Sequence, residues 1–168
     1  YDDIKHLIVD KLTPKKERLI IGIDFGGNRS KLPNGDRTIP MGDVQKAFSI
    51  VRDSATVWNI HPRDVGIMGF SAGGHLASVI STHSEYEVRP DFTILFYPVI
   101  SMDERVSHKY SCINFLGKDG QKNPELVRQF STQNAVKRHL TPPAIIITAS
   151  DDRLVPFVTN GLAYYTAM

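Results

Sequence analysis

One serine in this 168-residue chain has neighbours that could make it a nucleophile. Ser71 stands at the centre of the stretch Gly-Phe-Ser-Ala-Gly, after a short apolar run and before a helical pattern. In the order strand, sharp turn, helix, a serine at the apex presents its hydroxyl above the sheet. Gly69 and Gly73 flank it, and we expect the turn to be too tight for a Cβ atom at either position. The pattern therefore predicts a serine placed for nucleophilic attack.

The residue after this serine could stabilise the negative charge that such an attack creates. The turn brings the backbone N–H of Ala72 to the N-terminus of the predicted helix, where it can donate to an oxyanion. The alternative is a glycine-rich turn around an inert serine. The strand-like run before the turn and the helical spacing of Leu76, Val79 and Ile80 after it favour the nucleophile. Gly74 is expected to let the helix lie close to the sheet.

Two adjacent carboxylates, Asp151 and Asp152, follow a later apolar run. Functional groups collect at the carboxyl ends of the strands in parallel sheets, so these aspartates are predicted to lie at the same edge of the sheet as Ser71. The alternative interpretation is a solvated turn, or a cap on the last helix of the chain.

The elements that would position these residues follow from the apolar patterns. The predicted strands are continuous apolar runs, and helical patterns separate them. Such strands are typical of a parallel sheet covered on both faces, so the sequence predicts one α/β domain over residues 1–168. The strands are expected at Arg18–Phe25, in the run that begins at Val65, at Phe92–Tyr97 and at Ala144–Ala149, and the helices from Asp43 to Trp58, after Ser71 and over Phe157–Met168.

A long polar stretch over residues 101–141 interrupts this alternation. We expect it to be irregular, with short helices near residues 125–130 and 133–138. Excursions of this length between strands often carry substrate contacts or a lid.

Composition narrows the classes of function. Hydrophobic residues make up 41% of the chain and charged residues 23%, and the formal net charge is +2. This charge is too small to argue for nucleic acid or a membrane surface, and we expect neither as a partner. The single cysteine, Cys112, cannot form an internal disulfide, and the compartment stays unassigned. No metal-ligand spacing is present, and Ser71 stands where a dinucleotide-binding turn needs glycine, so no metal and no cofactor is predicted.

Several stretches together resemble the α/β-hydrolase superfamily and, more narrowly, bacterial acetyl xylan esterases and lipase-like carboxylesterases. The resemblance runs from about residue 33 to the end of the chain, and the first thirty or so residues match poorly. The stretches that carry it are Pro40–Ala47, Ile60–Ala77, Phe96–Ser101, Thr141–Ala144 and Asp151–Pro156.

This resemblance implies a three-layer α/β sandwich and the hydrolysis of small acyl esters, including acetyl esters on carbohydrate. It implies a Ser–His–Asp triad in which Ser71 attacks the ester carbonyl and an aspartate orients the histidine. The family spacing places the aspartate at Asp152, four residues before Pro156, with Asp151 as the runner-up. Four aromatic residues could stack on sugars, although scattered aromatic residues more often belong to the core: Tyr97, Phe115, Tyr164 and Tyr165.

The chain departs from the family pattern in its histidines. All six precede Asp151, whereas the family's catalytic histidine follows the aspartate and would lie beyond Met168. His75 is expected to pack beside the serine turn, and His108 and His139 are expected to be exposed loop residues.

A second departure concerns the oxyanion loop. Gly26-Gly27 could supply such a loop, but its spacing favours a plain structural turn. The chain is therefore expected to be the middle of a longer hydrolase domain that lacks N-terminal strands and the histidine-bearing segment. The alternative is a non-catalytic domain of the same fold.

Overall fold

The computed structural model describes residues 37–168. The predicted strand at Arg18–Phe25, His6 and Gly26-Gly27 lie outside the described residues. The elements in chain order are α1 (Thr38–Asp53), α2 (Ala55–Trp58), β1 (Ile67–Phe70), α3 (Ser71–His83), β2 (Thr93–Phe96), α4 (Lys109–Gly120), α5 (Pro124–Phe130), a 3₁₀ helix (Thr132–Asn134), β3 (Ala144–Ile147) and α6 (Gly161–Ala167).

The three described strands form one parallel sheet in the order β1-β2-β3. Phe70 pairs with Phe96, and Phe96 pairs with Ile147, so the three strands end level with one another. The connections that follow them therefore begin at one edge, which we call the carboxyl rim. The sequence prediction of a parallel α/β sheet is confirmed.

The described residues cover one face of the sheet and leave the other exposed. Helix α3 packs against β1 and β2, and α1 packs on the outside of α3. Leu95 is buried on the covered face, whereas Met68, Phe70, Ile145 and Ile147 are exposed. Residues 37–168 thus show two layers, and the third layer of the predicted sandwich stays a prediction.

The core lies between the sheet, α3 and the long excursion. Its largest cluster joins Val79 of α3 to residues that follow β2 and residues of α4 and α5. A second cluster, which includes Val44, Phe48 and Ile80, joins α1 to α3. Helix α3, which begins at the serine turn, thus packs against the sheet, α1 and the long excursion.

Several predicted element bounds are wrong. Helix α1 begins at Thr38 rather than at Asp43, because Pro40 falls within the first turn, where a missing N–H costs no hydrogen bond. The last helix begins at Gly161 rather than at Phe157. The stretch predicted as a helix over residues 133–138 contains only the end of the 3₁₀ helix, followed by turns.

Within the long excursion, the helix predicted near residues 125–130 is confirmed as α5. The side chain of Asn123 caps it by accepting the N–H of Glu125 at 3.0 Å. Helix α4 was not predicted, since its sequence is polar and Gly117 interrupts it at φ 77°. It forms because Cys112 and Leu116, four residues apart, are buried in the core. No helix within residues 37–168 is long and apolar enough to cross a lipid bilayer.

Candidate active site

Ser71 occupies a strained turn at the carboxyl rim. It is the first residue of α3 and directly follows Phe70, the last residue of β1. Its φ is 51°, in the left-handed region that an L-residue other than glycine rarely adopts. The side chain is half-buried. Strain of this kind persists only where the surrounding structure enforces it, and it occurs often at functional sites.

Two glycines allow the turn to be this tight. A Cβ at Gly69 would lie 2.3 Å from the carbonyl oxygen of Gly73, and a Cβ at Gly74 would lie 2.8 Å from Cβ of Pro98. The expected close approach of strand and helix is confirmed at these positions. The expectation for Gly73 is wrong, since a Cβ there meets no described atom within 4 Å. Gly73 faces outward on the first turn of α3, so its neighbours do not require glycine.

The backbone next to Ser71 leaves a donor at the rim. Ala72 is the second residue of α3 and is exposed. The first four N–H groups of a helix have no acceptor within the helix, and the helix dipole favours negative charge there. The carbonyl oxygen of Ser71 itself accepts the N–H of Val99, 3.1 Å away, which ties the turn to the segment after β2. The oxyanion role of Ala72 stays a prediction.

Asp152 folds the loop after β3 around its own carboxylate. Its Oδ1 accepts the N–H of Leu154 at 2.8 Å and the N–H of Val155 at 2.9 Å. Asp152 is half-buried, whereas Asp151 is exposed. Both follow the carboxyl end of β3, two strand positions from Ser71, which corresponds to about 10 Å between strand axes.

His75, which was expected to pack beside the serine turn, is buried in the core one turn along α3 from Ser71. It is 2% exposed, its Nε2 donates to the carbonyl oxygen of Phe130 at 2.9 Å, and Phe115 packs edge-on against its ring. Burial lowers the pKa of His75 from 6.5 to about 4. The ring is therefore a neutral hydrogen-bond donor, committed to a carbonyl on α5.

The other described histidines also have hydrogen-bond partners away from Asp152, except the exposed His139. His61 accepts the N–H of Arg63 in the loop before β1. His83 lies 3.2 Å from the carbonyl oxygen of Gln129, and burial lowers its pKa. His108 bonds Ser111 at the start of α4. The prediction of an exposed loop residue is confirmed for His139 and wrong for His108, which is half-buried because α4 begins directly after it.

The aromatic candidates divide by exposure. Tyr165 and Tyr97 are exposed, and Tyr97 lies at the carboxyl rim directly after β2 with φ 35°. Its ring centroid is 6.2 Å from that of Phe70. Of the other two candidates, Tyr164 is fully buried and cannot contact a sugar, and the half-buried Phe115 packs against the core.

Asn160, at the start of α6, is the residue that the sequence did not single out. It is 0% exposed, and its Oδ1 accepts the N–H groups of Ile100 and Ser101 and the hydroxyl of Ser107. Its Nδ2 donates to the carbonyl oxygen of Pro156 at 2.9 Å. The only sequence signal was its place four residues after that proline.

Within residues 37–168 no group of three or more His, Cys, Asp or Glu side chains could hold a metal ion. The chemistry available at the rim is that of a hydroxyl, a carboxylate and backbone N–H groups.

Comparison with known proteins finds two bacterial relatives that act on xylan by name. The chain is 77% identical over 147 residues to an acetylxylan esterase of Xylanibacter ruminicola, a match that covers 88% of the chain and 31% of that protein. It is 32% identical over 140 residues to endo-1,4-beta-xylanase B of Butyrivibrio fibrisolvens, covering 77% of the chain and 21% of that protein. The chain thus spans less than a third of the length of these relatives.

Solved structures agree on the fold. An acetyl ester-xyloside bifunctional hydrolase from Caldicellulosiruptor lactoaceticus matches with a TM-score of 0.68 and 37% identity, over 76% of this chain and 50% of that one. A sugar hydrolase from Lactococcus lactis matches with a TM-score of 0.66 and 29% identity, over 82% of this chain and 51% of that one. These likenesses confirm the predicted α/β-hydrolase fold and its partial extent. Because the match to the BD-FAE family runs over residues 36–163, and so takes in both the strained serine turn and the loop of Asp152, the chain belongs to that family.

Proposed function

We propose that the protein containing this chain is a serine esterase with Ser71 as its nucleophile. The observation that carries the proposal is the φ of 51° at Ser71, enforced by the contact between Gly69 and Gly73 at the end of β1. A strained apex of this kind aims the hydroxyl away from the sheet and next to the N–H groups of a helix N-terminus.

The proposed reaction has two steps. Oγ of Ser71 attacks the ester carbonyl carbon, its proton passes to a histidine, and the tetrahedral oxyanion accepts the N–H of Ala72. The C–O bond to the alcohol then breaks, and the alcohol leaves with the proton. Water attacks the acyl-serine by the same route, which releases the carboxylic acid and restores the hydroxyl.

Asp152 is proposed as the carboxylate that orients the histidine. Its Oδ1 is occupied by two backbone N–H groups, which fix the carboxylate in one orientation. No donor within residues 37–168 contacts its Oδ2, which can therefore accept an imidazole N–H. Within residues 37–168 no hydrogen bond or ion pair fixes the carboxylate of the exposed Asp151, so Asp152 is the better candidate.

The base histidine is proposed to come from a segment that follows Met168. The described histidines with partners are held by atoms away from Asp152, and the chain order serine, aspartate, histidine is typical of this fold. The acetylxylan esterase relative is about three times as long as this match.

Acetyl esters on a carbohydrate are the proposed substrates. The support is the similarity to an acetylxylan esterase and to an acetyl ester-xyloside hydrolase. Tyr97, exposed on the rim beside the serine turn, offers an aromatic face for a sugar ring.

The direct test is hydrolysis of p-nitrophenyl acetate and acetate release from acetylated xylan by the full-length protein. Ser71→Ala is expected to reduce turnover by a factor on the order of a thousand or more. The matched control is Ser49→Ala, which removes the hydroxyl of a half-buried serine on α1 that donates to the carbonyl oxygen of Gln45 at 3.2 Å. Equal rates for the protein and Ser71→Ala would refute the proposed nucleophile and favour a non-catalytic domain.

A second pair of variants tests the carboxylate. Asp152→Asn keeps an oxygen for the two N–H groups but loses the charge, and kcat is expected to fall on the order of a thousandfold or more. Asp151→Asn is expected to leave kcat within about twofold, since surface substitutions of this kind act weakly. The opposite result would assign the role to Asp151.

A further inference from the structure

We infer that Asn160 is a positioning residue that sets where the loop of Asp152 lies relative to Ser71. This inference rests on the proposed function for its catalytic consequence. The link between the two loops itself is argued from hydrogen bonds alone.

The first half of the link runs from the serine turn to Asn160. The N–H of Val99 donates to the carbonyl oxygen of Ser71 at 3.1 Å. The next two N–H groups, of Ile100 and Ser101, donate to Oδ1 of Asn160 at 2.8 and 3.1 Å. Three consecutive peptide groups after β2 are therefore held between the turn after β1 and a side chain that follows β3.

The second half runs from Asn160 to the carboxylate. Nδ2 of Asn160 donates to the carbonyl oxygen of Pro156 at 2.9 Å. The residue before that proline, Val155, donates its N–H to Oδ1 of Asp152 at 2.9 Å. The link from Ser71 to Asp152 thus uses five hydrogen bonds and short stretches of backbone, and Asn160 is the side chain that joins its halves.

Asparagine is the side chain suited to this place. Its oxygen accepts three donors, the third being the hydroxyl of Ser107 at 2.8 Å, while its amide donates to the Pro156 carbonyl. Aspartate offers no donor and would place a negative charge beside that carbonyl, and an apolar side chain would leave buried N–H groups unpaired. Because Asn160 is 0% exposed, water cannot easily replace it.

A displacement of about 1 Å in a catalytic constellation can cost a hundredfold in rate. The Asn160 link holds the loop of the proposed carboxylate and therefore acts on the chemical step more than on substrate binding. A side chain that only stabilised the start of α6 would change stability without changing turnover.

Three variants of the full-length protein separate these roles. Asn160→Ala removes both halves of the link. Asn160→Asp keeps an acceptor for Ile100 and Ser101 but loses the donor to Pro156. Ser81→Ala is the matched control: it removes a buried hydroxyl that bonds Thr93 at 2.7 Å, at the opposite end of β2 from the rim.

We expect both Asn160 variants to lower kcat for p-nitrophenyl acetate by about ten- to a hundredfold, with KM changed less than about twofold. Ser81→Ala is expected to lower the urea midpoint and leave kcat unchanged. If the Asn160 variants lower only the urea midpoint, as the control does, the positioning role is wrong. Should Asn160→Ala not fold, Asn160→Asp, which keeps the size of the side chain, decides the question.

Amide hydrogen exchange tests the link without reference to catalysis. Exchange of the N–H groups of Leu154 and Val155 is expected to accelerate about tenfold in both Asn160 variants, which corresponds to the loss of one or two hydrogen bonds, and to stay unchanged in Ser81→Ala. Unchanged exchange in every variant would overturn the link. Absence of Ser71-dependent turnover in the unmodified protein would instead refute the proposed function, and exchange would still decide whether the two loops are coupled.

Discussion

Acidification is expected to destabilise this protein through His75. The pKa of this buried ring is lowered to about 4, mainly by burial, whereas a histidine in the unfolded chain titrates near 6.5. Between these values the unfolded state binds more protons than the folded state. The free energy of unfolding therefore falls as the pH is lowered from about 6.5 towards 4, and the contribution of neutral His75 is lost below that range.

The size of the effect follows from the two pKa values. At pH 5 the histidine is almost fully protonated in the unfolded chain and about nine-tenths neutral in the folded protein. The free energy of unfolding is therefore about 2 kcal/mol lower at pH 5 than at pH 7. The positive charge of the nearby His83 contributes to the lowered pKa of His75. Burial also lowers the pKa of the half-buried His83 itself, so His83 adds to the loss of stability at low pH.

Urea unfolding at pH 7 and pH 5 measures this loss. The matched variant is His75→Gln, since a glutamine amide can still donate to the carbonyl oxygen of Phe130 but does not titrate. Between pH 7 and pH 5 the free energy of unfolding of the protein is expected to fall by about 2 kcal/mol more than that of the variant. If both lose the same amount, His75 does not stay neutral in the folded state and the burial argument fails.

Three further experiments test the serine turn and the core. Gly69→Ala places a Cβ against the backbone of Gly73 and is expected to lower the free energy of unfolding by at least about 2 kcal/mol. Gly42→Ala, whose Cβ meets no described atom within 4 Å, is expected not to lower it, and equal midpoints for the two variants would refute the close approach. Ser71→Gly is expected to raise the free energy of unfolding by about 1 kcal/mol, because glycine adopts φ 51° without steric strain. Ser71→Ala keeps the Cβ atom and is expected to leave the free energy of unfolding unchanged, so a gain in stability with alanine would point to another cause. Burial raises the pKa of Cys112 to about 12, so iodoacetamide is expected to label it only on unfolding, and rapid labelling of the folded protein would contradict its burial.

The sequence determined the features whose causes are local. The turn at Ser71 follows from a glycine two residues before it and from apolar runs that favour strand and helix on either side. The strands at Phe92–Tyr97 and Ala144–Ala149 were predicted within two residues of β2 and β3, because continuous apolar runs of that length are typical of buried parallel strands. The chemical roles of Ser71, Ala72 and Asp152 remain predictions of the same local kind.

Tertiary structure decided what depends on contacts between distant segments. Helix α4 has a weak pattern of its own and forms because Leu116 reaches a core built from other elements. The link through Asn160 joins residues 59 and 60 positions apart, and no spacing rule connects an asparagine with the backbone it will meet at that distance. Short-range patterns predict a turn because steric exclusion acts between neighbours in the chain. The partner of a buried polar side chain is fixed only when packing removes water and leaves one set of donors and acceptors within reach.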